Sequence, residues 1–350
     1  MYKSTYVSTS KPKSILSKLL RLVGALSITT FFSVNVIASE GKHSSAAPSP
    51  LNEGFIEVAT GQNLHYISKG EQGKKPLLLF IHGAPERAEV WRDYIDFFSE
   101  DYFAVAYTSR GYYPSSIPED VEAYTTTNLA LDAISVAQAF GYEHFTVVGH
   151  DWGAATAWQA AIIAPDVIDQ LIILSNPHPI IYSRAYYEVP EHREFIDNYI
   201  PLARDSIAPW TAQATLENNL AHFKQYVYPA STHNSIPWSL GLKLEETWLH
   251  DSGASLDAIY NHYKAMSWPL PLLNSCKPFP GLDLTVNQPV LILYGEQDRF
   301  VAKEAFELEG NDCHPNSIQI AFPDGDHFIH HEYKSEIKWK MWYFLNSNKK

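Results

Sequence analysis

The chain has 350 residues, 45% of them hydrophobic, 13% aromatic and 19% charged, and a formal net charge of −13 at pH 7. Such a composition supports a sizeable buried core and leaves no room for extensive disorder beyond the amino terminus. The acidic balance, with no basic patch in the body of the chain, argues against a nucleic-acid partner, because phosphate binding needs Lys and Arg clustered on one face.

Lys3, Lys11, Lys13, Lys18 and Arg21 precede any acidic residue and lead into an apolar run from Leu22 to Ile37. This order reads as a secretory signal peptide over residues 1–38, with Val36 and Ala38 small enough for the −3 and −1 positions of a cut after Ala38. Ser27, Thr29, Thr30, Ser33 and Asn35 interrupt the run, so an uncleaved membrane anchor is the weaker alternative, and no later stretch is suited to cross a bilayer. The expectation is an exported protein, periplasmic or secreted, with no stable membrane insertion after cleavage. Residues 39–53, rich in Ser, Ala and Pro, read as a flexible lead-in. Two cysteines remain, Cys276 and Cys313; export permits a disulfide between them, and sequence separation does not decide whether it forms.

From about Gly54, short β-rich runs occur at residues 55–60, 64–68, 77–83, 103–109 and 145–150, with a further strand at Leu171–Leu174. Helical patterns cover Thr126–Phe140 and Ala154–Ala164. A long stretch with few strand signals follows, and the alternation returns with Val290–Tyr294, Ile318–Phe322 and an amphipathic helix around Glu332–Leu345. Strands alternating with helices predict an α/β fold with a doubly wound, mostly parallel sheet. Its core is expected at 54–180 and 281–350, with an inserted, mainly helical cap at 181–280.

The chemistry concentrates in FTVVGHDWGAA, where an apolar strand meets Gly149-His150-Asp151-Trp152-Gly153 and then a helix of small residues. This is the form of a nucleophile elbow with Asp in the place of the commoner Ser. Glycines on both sides permit the sharp turn, and the helix amino terminus favours a carboxylate. An Asp opening a helix is by itself more often an N-cap. Its companions change that weighing: Asp298 follows the strand LILYG, and His327 follows the last strand, giving the chain order nucleophile, acid, histidine. After strand Leu77–Ile81 comes His82-Gly83-Ala84-Pro85, whose simplest reading is a tight turn. Its position in such a fold places the N–H groups of Ala84 and Trp152 as an oxyanion hole, with His82, Pro85 and Trp152 at the substrate. His330 and His331 read as helix-surface residues without a role.

With these motifs the chain resembles the epoxide hydrolase and haloalkane dehalogenase branch of the α/β-hydrolase family, from about Gly54 to the carboxyl terminus. HGAP at 82–85, SRGYYPSS at 109–116, GHDWGA at 149–154, NPHP at 176–179, YGEQD at 294–298 and DHFIHHE at 326–332 carry the resemblance. Epoxide hydrolases are the nearer branch, because NHYKAM at 261–266 resembles a cap segment whose Tyr hydrogen-bonds the epoxide oxygen. The resemblance implies Tyr263 in that role and Tyr199 as its partner, with Tyr226 and Tyr228 as alternatives. Ala84 stands where an aromatic residue is common, SRG replaces a more usual acidic-x-Arg-Gly, and Gly-Asp-His replaces Gly-His.

The resemblance implies a small apolar epoxide and water as reactants, an ester on Asp151, and no metal or organic cofactor. A dehalogenase using the same residues is the first rival; the Asn that one dehalogenase group carries at the position of Ala84 is absent, and Trp152 replaces the Arg of haloacetate enzymes. A secreted binding or host-interaction protein on the same fold is the second. Whether the protein forms a homodimer stays open.

Overall fold

A computed structural model describes residues 50–208, 210–217, 254–267, 271–308 and 312–348, so the expected signal peptide and most of the lead-in lie outside the described residues. Eight strands form one sheet in the order β1-β2-β4-β3-β5-β6-β7-β8. They are β1 Asn52–Glu57, β2 Asn63–Lys69, β3 Leu77–Ile81, β4 Phe103–Tyr107, β5 Phe145–His150, β6 Ile168–Leu174, β7 Val290–Gly295 and β8 Ser317–Phe322. β2 pairs antiparallel with β1 and β4, and every pairing from β4 across to β8 is parallel. The expected doubly wound, mostly parallel sheet is therefore the observed one.

The inner strands explain this. β3, β4 and β5 are buried at every position, and apolar runs without alternation need cover on both sheet faces. On one face Leu77, Leu79, Ile81, Val105 and Val147 meet Trp158 of α3 (Trp152–Ile163) and Ala133 of α2 (Thr126–Ala139). On the other, Leu78, Phe80 and Val148 meet Trp91 and Phe98 beside α1 (Arg92–Phe98), and Met341 of the last helix. Neighbouring residues of a strand thus serve opposite layers. The edge strand β1 begins at Asn52, two residues before the expected start; Asn52 and Glu53 pair with Ser68 and Ile67, and an edge tolerates their polarity.

Between β6 and β7 the chain leaves the sheet and forms α4 Pro179–Glu188, α5 Pro190–Asp197, α6 Ile200–Arg204, α7 Ala212–Glu217 and α8 Ala254–Lys264. The two ends of this insertion are joined. His178 Nε2–H donates to the Leu284 carbonyl at 3.1 Å, and the Leu284 N–H donates to the Cys276 carbonyl at 2.8 Å. Cys276 is disulfide-bonded to Cys313, 37 residues further on, with Cα atoms 5.2 Å apart, a pairing that sequence separation had left open. α9 (Glu304–Glu307) follows β7. The helix expected around Glu332–Leu345 is α11 Lys334–Ser347, and a separate short turn, α10 Ile329–Glu332, precedes it across Tyr333 at φ −112° and ψ 31°. Among the described residues, no helix is long and apolar enough to cross a membrane.

The loop after β4 is fixed by Arg110, whose Nε and Nη2 each donate to the carboxylate of Asp132 in α2 at 2.6 Å, while Nη1 donates to the Ala123 carbonyl. Both partners are buried. Asp132→Ala is expected to cost about 3–5 kcal/mol, because Arg110 keeps its charge without a counter-ion. Thermal unfolding measures this, and an unchanged midpoint would mean that the pair is dispensable.

Candidate active site

β5 runs directly into α3, and the joint lifts Asp151 above the carboxyl edge of the sheet. Asp151 has φ 52° and ψ −116°, a left-handed conformation that a residue with a side chain holds only where its surroundings enforce it. The enforcement is steric. A Cβ on Gly149 would strike the Gly153 carbonyl, and one on Gly153 would strike the Ile81 carbonyl, so β3, β5 and α3 approach more closely than any side chain permits. The Asp151 N–H donates to the Leu174 carbonyl at 3.2 Å, and Asn176 Nδ2 donates to the Asp151 carbonyl at 3.1 Å.

The Asp151 carboxylate divides its oxygens between two partners. Oδ1 accepts from the Ala84 N–H at 2.8 Å, and Oδ2 lies 3.5 Å from His327 Nε2. His327 Nδ1–H donates to Asp298 Oδ2 at 2.7 Å, while Asp298 Oδ1 accepts from the N–H groups of Phe300 and Val301 at 2.8 and 3.0 Å. Three residues distant in sequence therefore meet at one edge of the sheet. Burial works against charge on Asp151, yet the hydrogen bond and charge of His327, helped by His150 and the Ala84 N–H, hold its carboxyl below the ordinary range. Burial likewise opposes charge on His327, and the Asp298 and Asp151 carboxylates outweigh it, holding the imidazole well above its usual value. The resting arrangement is an imidazolium between two carboxylates.

Asp151 and His327 border a cavity of about 40 Å³ together with Ala84, Pro85, Tyr199, Tyr263 and Phe300, room for a few waters at most. A second cavity of about 420 Å³ extends from Asp151 past Trp152, Asn176, Tyr182 and Met266, a volume in the range of small-molecule sites. Tyr199 and Tyr263 line both. Their rings meet edge-on at 6.0 Å, and the Tyr199 hydroxyl is 3.5 Å from that of Tyr182. Burial first, and the Asp151 charge with it, pushes both hydroxyls above the ordinary phenol value, so they remain protonated donors. Tyr226 and Tyr228 lie outside the described residues.

Trp152 opens α3 directly after Asp151, and its ring stands edge-on to Tyr263 at 5.2 Å. His82 does not border either cavity as expected. It is buried below the loop, where Nδ1–H donates to the Gly83 carbonyl at 2.9 Å and Nε2 accepts from the Ser109 N–H at 2.9 Å. Burial lowers its pKa to about 4, which matches the bare Nε2 and makes His82 a support of the loop instead of a substrate contact.

His330 and His331 also require correction. The break at Tyr333 leaves α10 as a short turn that presses His330 against the Trp91 ring at 5.1 Å, fully buried, with His331 half-buried beside it. Both close on Glu86, a fully buried carboxylate that sequence reasoning passed over, with Nε2–Oε1 distances of 3.1 and 2.6 Å. Asn176 was visible only as part of NPHP. Glu86 follows HGAP by one residue, and that adjacency was its only signal.

Residues 76–333 match the alpha/beta hydrolase fold family. The chain belongs to that family. Along most of its length this α/β-hydrolase is similar to epoxide hydrolases. It is 30% identical to Epoxide hydrolase 3 of Mus musculus over 82% of this chain and 75% of that protein. Among solved structures, Bacillus megaterium epoxide hydrolase bound to an inhibitor superposes with a TM-score of 0.74 at 29% identity, covering 84% of this chain and all of that one. A variant of an epoxide hydrolase from Bacillus megaterium, complexed with its naphthyloxy-propanediol product, gives a TM-score of 0.72 at 27% identity, over 84% of this chain and 100% of that one. This α/β-hydrolase is accordingly an enzyme, a hydrolase of the epoxide hydrolase branch.

Proposed function

We propose that the protein hydrolyses epoxides to vicinal diols through an ester on Asp151. The observation that carries the reading is the surroundings of that carboxylate: two protonated tyrosine hydroxyls border its cavities and a histidine stands behind it. A ring oxygen is a poor leaving group unless a donor takes its developing charge, and Tyr199 and Tyr263, which line both cavities with Asp151, give that hydrogen bond in this reading. Asp151 Oδ2 attacks a ring carbon, the C–O bond of the ring breaks, and the freed oxygen takes a proton from a tyrosine.

Esterification removes the Asp151 charge, and with it one of the two carboxylates that hold the proton on His327. The imidazole then falls back towards its ordinary value, passes its resting proton to the tyrosinate left by ring opening, and becomes a competent base. Water in the smaller cavity gives its proton to His327 and adds to the ester carbonyl, whose oxygen is stabilised by the Ala84 N–H and the neighbouring Trp152 N–H. One such donor is worth about 3–4 kcal/mol. Collapse returns the Asp151 carboxylate and the diol, and the sum is epoxide plus water.

The deciding assay incubates the protein with aryl and alkyl epoxides and with haloalkanes, quantifying diol and halide. Diol without halide is the expected result; halide release would replace the reading with dehalogenation. Tyr263→Phe is expected to slow ester formation by roughly 10²-fold while changing binding little, as for loss of one acid in a transition state. An unchanged rate would move the proton donor elsewhere. Export belongs to the same proposal: the Cys276–Cys313 disulfide suits an oxidising compartment, and recovery of a shortened chain outside the cytoplasm tests it.

A further inference from the structure

The two cavities beside Asp151 differ in volume and in the groups on their walls. Asp151, Tyr199 and Tyr263 border both, so an epoxide ring that meets all three sits at their junction. The smaller side, about 40 Å³, holds a few waters at most, and a bulky substituent therefore projects into the larger one, of about 420 Å³. On that wall, beside Tyr263, stands His262. It is almost wholly buried, boxed by the rings of Tyr112, Tyr124 and Trp152 at 5.7, 5.0 and 5.4 Å.

The tautomer of His262 follows from its neighbours. Nδ1 lies 2.8 Å from the Ala258 carbonyl one turn earlier in α8, and a carbonyl only accepts, so Nδ1 carries the hydrogen. Burial holds the ring neutral, with its pKa lowered to about 4, so Nε2 is bare. Among the described residues Nε2 has no hydrogen-bond partner, and they do not seal it in, so a buried ring presents an acceptor to the larger cavity. A ligand that displaces solvent from such an acceptor must supply a donor or lose the bond.

We propose that His262 Nε2 is a specificity-determining acceptor, and that the substrates are epoxides whose larger substituent carries a hydroxyl or N–H donor; this rests on the epoxide hydrolase reading above. The amides and hydroxyls on the same wall, Asn176, Gln159 and Ser267 among them, can both donate and accept. Such groups tolerate either kind of substituent. A bare imidazole nitrogen accepts and nothing else, so it rejects a substituent that can only accept.

Terminal epoxides on an alkyl chain, with a hydroxyl at successive carbons and each paired with its methyl ether, test this on the full chain. The ether accepts but does not donate. At the carbon that reaches His262, kcat/KM for the hydroxyl compound is expected to exceed that of its ether by about tenfold, and by less elsewhere along the chain. His262→Phe keeps a ring among Tyr112, Tyr124 and Trp152 and removes the acceptor. It should bring the ratio of hydroxyl compound to ether at that carbon from about ten to about one.

Equal kcat/KM for both members of every pair, or a preference that survives His262→Phe, would overturn the proposal. If His262→Phe does not fold, the wild type decides with a third compound, the ketone at the same carbon, which lacks the bulk of the ether and still has no donor. An acceptor-only wall ranks the ketone with the ether, and a ketone that matches the hydroxyl compound is decisive against His262. A wild type that turns over no member of the series would instead sink the epoxide reading, and this inference with it.

Discussion

Asp151→Asn is expected to abolish diol formation, by about 10⁴-fold or more, while leaving the melting temperature within a few degrees of wild type. The magnitude follows from the carboxylate being the atom source of the new bond, for which an amide is no substitute. The intact fold follows from the backbone: the strained turn at Asp151 is imposed by Gly149 and Gly153, and an Asn adopts left-handed φ at least as readily as Asp. Deamidation regenerates Asp, so the sample's mass must be verified before assay. Steady turnover by verified Asn protein would mean that another residue attacks.

His327→Gln should stop the reaction half-way. Ester formation requires the Asp151 carboxylate and the tyrosine donors, whereas hydrolysis needs a base, so steady turnover should fall by about 10²–10⁴-fold while a first turnover still occurs. Intact-mass measurement after mixing with an epoxide should show the protein heavier by one substrate, and a peptide map should put the added mass on Asp151. Absence of the adduct, with turnover lost, would show that His327 is needed before the ester forms.

The inner strands, and with them the positions of Asp151, Asp298 and His327, were legible in the sequence. β3 and β4 are unbroken apolar runs and β5 is buried at every position, which only a sheet covered on both faces accommodates. Asp151, Asp298 and His327 each follow the carboxyl end of a strand, so locating β5, β7 and β8 also located them. Glu86 and its histidines were not legible, because their meaning lies in contacts across 64 to 245 residues of chain, and the short turn of α10 turns inward a face that an uninterrupted helix would direct to solvent. His82 was misplaced for a related reason: its loop position is right for a substrate contact, and only the Ser109 N–H that captures its ring sends it the other way.

The helical insertion leaves the sheet after β6 and returns before β7, and both crossings are tied, by Asn176 to the Asp151 carbonyl, by His178 to Leu284 and by Cys276 to Cys313. The insertion is thereby fastened to the core at both roots. A reductant that opens the disulfide is therefore expected to loosen one root of the insertion without touching any group that reacts.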